Sequence, residues 1–155
     1  MTESDTAPNE EEQRAEPRLT MRKVYVKDLS FELSDAPNIF TGEGAQSLVP
    51  VMRTNLSISN EKMAGDEYEV SVRLTVHATR EGGGSVFLVE VLQAGIFVIA
   101  DAGERELQRL LNVQCPEAIF PFARETIWSA VTRGGVPHLL LQDIDFGSLF
   151  DQAHS

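Results

Sequence analysis

The side chains that could do chemistry are few and scattered. His77, His138 and His154 share no metal-ligand spacing with one another, with a cysteine or with a carboxylate. Cys115 is the single cysteine, so no intramolecular disulfide is possible. Beside Pro116 it reads as a small buried hydrophobe, since no nearby base or cation would activate a thiol. Gly82-Gly83-Gly84 precedes Ser85 and an apolar strand, not a lysine and a helix, so it reads as a strand connection and not as a phosphate cradle. There is no G-x-S-x-G elbow and no Walker loop. Asp143 and Asp145 stand where helix caps are needed. No catalytic residue, metal or cofactor is expected.

Two features are less ordinary. Glu90 interrupts an apolar strand and shares a face with Leu88 and Leu92, while Val89, Val91 and Gln93 occupy the other. A lone carboxylate there is costly if buried and unpaired. It marks either a partly exposed sheet face or an acidic docking face with apolar edges, which Asp28 and Glu32 would extend. Apolar side chains also border loops and ends: Ile39, Phe40, Met52, Leu56 and Ile58, then Phe146, Leu149 and Phe150. They read either as ordinary core or as an exposed groove for varied clients.

The elements that position these residues follow from periodicity. Residues 1–20 are acidic and nearly devoid of large apolar side chains, so a disordered tail is expected. Alternation then predicts strands near 21–32, 52–58, 68–79 and 86–100, joined mostly by short turns, hence an antiparallel sheet. Gly95 inside the fourth strand predicts a bulge or a close backbone approach. Leu107, Leu110 and Leu111 start a helical pattern, Pro116 is expected to break it, and Ala123, Ile127, Ala130 and Val131 resume it as far as Gly134-Gly135. A last short helix is expected around Phe146–Phe150. The order predicts an α+β fold: one domain over 21–152, with a short tail at 153–155.

A formal net charge of −11 argues against nucleic acid and favours a basic protein partner, or solubility alone. No apolar run approaches the ~20 residues of a membrane span, and no signal pattern opens the chain. A cytoplasmic protein is the expectation.

Several collinear segments carry a resemblance. Tyr25-Val-Lys-Asp-Leu-Ser-Phe-Glu32, Ala36-Pro-Asn-Ile-Phe40, Phe87-Leu-Val-Glu-Val91, Gln93-Ala-Gly-Ile-Phe97, Cys115-Pro-Glu-Ala-Ile-Phe-Pro-Phe-Ala-Arg-Glu125 and Asp145-Phe-Gly-Ser-Leu-Phe150 together resemble the bacterial protein-export chaperone family SecB. The resemblance implies a four-stranded antiparallel sheet with two helices, assembled as a dimer of dimers. It implies a non-enzymatic holdase that keeps unfolded precursor proteins translocation-competent and delivers them to the SecA ATPase. By position it implies a SecA-binding surface at Asp28, Glu32, Leu88 and Glu90. Oligomer assembly is implied at Val89, Val91 and Gln93, and a client groove at Met52, Leu56, Ile58, Phe146, Leu149 and Phe150. The chain departs from the family pattern at Thr54, where an aliphatic residue is expected, and over Thr41–Val49. An alternative is a SecB-like holdase for other clients such as an antitoxin. A small enzyme with an apolar pocket is a third reading, disfavoured by the lack of a nucleophile–base pair.

Overall fold

Long alternating runs make the sheet, and one helical rod covers it. A computed structural model describes residues 16–42, 50–136 and 141–154. The strands are β1 (Arg18–Leu33), β2 (Val51–Lys62), β3 (Glu67–Thr79) and β4 (Ser85–Ala100), in the order β1-β4-β3-β2, with every neighbouring pair antiparallel. The first strand starts at Arg18, inside the tail expected to run to residue 20. The rest of that tail, through residue 15, lies outside the described residues, as do 43–49 in the expected loop, and His138.

Strand alternation sorts the side chains cleanly. Val70, Val72, Leu74 and Val76 of β3 and Phe87, Val89 and Val91 of β4 are fully buried on the helix side. Each such side chain contributes about 1.5–3 kcal/mol by leaving water. Gly95 lies on the same side, where an added Cβ would meet Phe97 at 3.0 Å and the Lys23 carbonyl at 3.2 Å. The close approach predicted from the sequence is therefore there. Gly82 and Gly83 turn β3 into β4 at φ +101° and +106°, which glycine adopts without strain. The β1–β4 register skips at Arg22 and Lys27, two bulges whose cations reach across β4 to Glu67 and Glu69.

Pro116 does not break the helix. Helix α1 (Glu104–Arg109) continues through a π turn (Leu110–Gln114) into α2 (Cys115–Arg133). A proline ring clashes with the carbonyl four residues before it, and the wider π turn directly ahead of Pro116 opens that space. In this turn the Asn112 side-chain amide donates to the Gln108 carbonyl at 2.7 Å. Gly134 and Gly135 end α2 as expected, Gly135 at φ +75°. Helix α3 (Phe146–Ala153) is capped by Asp145, which accepts from the Ser148 amide at 3.0 Å. Ala153, expected in a tail, is its last residue.

Candidate functional site

The sheet has two unlike faces. On the helix side, between β2, α2 and residues 141–149, lies a groove of about 380 Å³ lined by Thr54, Leu56, Leu74, Phe120, Leu141, Gln142, Asp143, Ile144 and Leu149. Two of the predicted groove residues, Leu56 and Leu149, line it. Phe146 does not: it is 1% exposed, sunk in the core edge-on to Phe120 at 5.7 Å. A ring at the first position of a docked helix points inward, so its apolar character signals packing. Met52 and Ile58 are half-buried against the same core, beside the groove lining. Phe150 turns to a separate cleft with Arg105, Gln108, Arg109, Asp151 and His154.

Phe120, Leu141 and Ile144 were missed as lining residues. Phe120 looked like one more apolar helix position, and Leu141 and Ile144 sit in a stretch with no periodic pattern. Asp143, read as a cap, pairs instead with Arg124.

The other face carries no helix. The register sets Glu32 beside Leu88, Ser30 beside Glu90 and Asp28 beside Leu92. Asp28, Glu32, Leu88 and Glu90 thus share one surface, and Leu88 is 39% exposed. Glu90 is not alone: the Thr75 hydroxyl donates to it at 2.9 Å and Arg73 forms an ion pair with it. Those two hydrogen bonds hold its carboxyl below the usual carboxylate range. Farther along β1, Tyr25 and Lys27 both donate to Glu69.

Val89, Val91 and Gln93 point the opposite way, at 0%, 0% and 2% exposure, and Thr126 of α2 donates to Gln93. Buried within one chain, they offer no surface to a second copy. Within the chain they pack the sheet against α2.

Among the described residues no group of histidine, cysteine and carboxylates could hold a metal, and Cys115 is buried, its thiol pushed up to about 12 by desolvation. No helix of the described residues is long and apolar enough to cross a membrane.

The family described as preprotein translocase subunit SecB matches residues 12–155. A protein-export protein SecB of Nitrosococcus oceani is 43% identical over 98% of this chain and 91% of its own length. Its counterpart in Histophilus somni is 42% identical over 97% of this chain and 86% of its own. That of Acinetobacter baylyi is 40% identical over 91% and 89%. Among solved structures, the Mycobacterium tuberculosis Rv1957 SecB-like chaperone, in complex with a ChAD peptide from the Rv1956 HigA1 antitoxin, superposes with a TM-score of 0.63. It is 18% identical, covering 82% of this chain and 91% of that one, which speaks to fold alone. The fold is that of the SecB-like chaperones. The chain belongs to the SecB family of protein-export chaperones.

Proposed function

We propose that this protein is an ATP-independent holdase of the cytoplasm. It binds unfolded precursor proteins in the groove, keeps them translocation-competent, and hands them to the SecA ATPase through the acidic face. The observation that carries this reading is the placement of the two surfaces. Leu56 and Leu149 lie on the helix side of the sheet, Leu88 and Glu90 on the bare side. Client and motor can therefore be held at once, as a transfer step requires.

A holdase competes with the client's own folding, so fast association matters more than extreme affinity. Burial of client surface yields roughly 25 cal/mol per Å² before ordering costs, so one small groove holds weakly. Several grooves on a homotetramer, a dimer of dimers, would raise avidity through effective concentration. Met21, Val26 and Leu29 of β1 and Phe122 of α2 are exposed apolar side chains suited to that assembly. No step requires an enzymatic reaction.

The test is refolding of a slow-folding, signal-bearing precursor with and without purified SecA. Arrest without ATP, relieved by transfer to SecA, is expected. Arrest with no SecA association would favour the second reading, a holdase for other clients such as an antitoxin. The Mycobacterium tuberculosis chaperone, solved with an antitoxin peptide, keeps that reading in view.

A further inference from the structure

The acidic face has a basic border. The register extends each row of the docking surface across the sheet. The row Glu32, Leu88 continues into His77 and Arg53; Ser30, Glu90 into Thr75 and Asn55; Asp28, Leu92 into Arg73 and Ser57. Strands lie about 4.8 Å apart, so each row spans roughly 14 Å from β1 to β2. Carboxylates stand on β1 and β4, and the arginines Arg73 and Arg53 on β3 and β2. An apolar centre of Leu88 and Leu92 lies between them.

The basic side chains are not equivalent. Arg73 is committed to Glu90. The His77 ring meets the Ser85 hydroxyl at 3.1 Å. Arg53 is exposed and pairs with no carboxylate among the described residues. Its neighbours Met52 and Thr54 turn to the helix side, so Arg53 itself points out of the bare face.

A purely acidic surface would attract any basic segment, in any orientation, including basic stretches of unfolded clients. An uncommitted arginine beside it repels such segments and rewards a partner that brings a carboxylate of its own. We propose that this face recognises a partner element of mixed charge, with basic groups over Asp28, Glu32 and Glu90 and an acidic group over Arg53. Docking then has one orientation, and purely basic client segments are turned away. The inference rests on the reading of this face as the SecA docking site.

The test reverses the sign that net charge alone would give. Arg53→Glu makes the protein more acidic, so simple charge attraction predicts tighter SecA binding. The mixed-charge surface predicts SecA binding weakened by about fivefold, with oligolysine binding strengthened by a similar factor. Arg53→Gln should move both affinities the same way by about twofold. Retained precursor arrest shows that the variants are folded, and Arg53→Gln carries the test if Arg53→Glu is not. Glu90→Lys separates the two ideas. If it leaves SecA binding unchanged, the docking reading fails and takes this inference with it. If it weakens SecA binding while the Arg53 variants leave it unchanged or tighten it, the mixed-charge inference alone is overturned.

Discussion

Phe146 and Leu149 stand three positions apart on one short helix, in opposite situations. Phe146 is sealed in the core, whereas Leu149 is 47% exposed on the groove wall. Phe146→Ala should cost about 3–5 kcal/mol in urea unfolding. Leu149→Ala should change stability by no more than about 0.5 kcal/mol, yet weaken binding of an unfolded client by about three- to tenfold in a fluorescence titration. Equal stability losses from the two would contradict the assignment. Glu90 makes a second prediction. Its folded carboxyl lies below the ordinary value of 4.5, so its ionised form is favoured by the fold. That contribution is complete above the unfolded value and is lost as pH falls through the folded one. The Glu90 contribution to SecA binding should therefore persist as pH falls to 4.5 and be lost only below it, measured by calorimetry at fixed ionic strength against Glu90→Gln. Strand alternation made Leu88 and Glu90 legible in the sequence. Arg73 as the partner of Glu90 was not, because strand register brings together residues 17 apart that no local pattern links.

Helix α2 ends where a ring needs room. A Cβ on Gly134 would lie 2.4 Å from the Phe31 ring, although the backbone there, at φ −71°, suits any residue. The obstacle is steric, so Gly134→Ala should destabilise by about 1–3 kcal/mol. Phe31→Leu in the same chain should recover part of that loss. No recovery would mean that the glycine serves another purpose. The helix also shows where sequence reading stops. Leu107, Leu110 and Leu111, and later Ile127 and Val131, announced both halves, and Pro116 announced a break. That the rod continues depends on a five-residue π turn (Leu110–Gln114), whose signature is a hydrogen-bond register and not a residue type. Asn112, whose amide donates to the Gln108 carbonyl, reads in the sequence as an ordinary polar position.

Across the whole molecule, two groups weaken the fold at high pH, the buried Cys115 thiol and the Tyr25–Glu69 cluster. Tyr25 is raised from 10.0 to about 12, by burial first and by its hydrogen bond to Glu69 next. A raised group supplies stability that is full below its unfolded value and lost as pH climbs through the folded one. The share that Tyr25 supplies should decline between about pH 10 and pH 12. In Tyr25→Phe that part of the decline should vanish from a plot of urea midpoint against pH. The proposed assembly belongs to this scale too. Val26→Glu with Leu29→Glu should reduce the assembly in light scattering and weaken client holding, while each chain stays folded. A folded monomer that holds clients equally well would remove avidity from the mechanism. The four strands and the domain type were legible because alternation is local. The groove was only partly so, because four of its nine lining residues are 141–144, which carry no periodic signal.

Strand β2 carries a further consequence. Met52, Leu56 and Ile58 face the helix side, and Arg53 among them faces the bare side. Under the proposed function, odd and even positions thus answer to different selections. Substitutions can retune which polypeptides are held without touching whom they are handed to, so the two specificities are free to drift apart over evolution. Insertion or loss of a single residue is another matter. It would exchange the faces of every position beyond it and confuse both tasks at once. The strand is permissive toward point mutation and intolerant of a one-residue frame slip, much as a reading frame is.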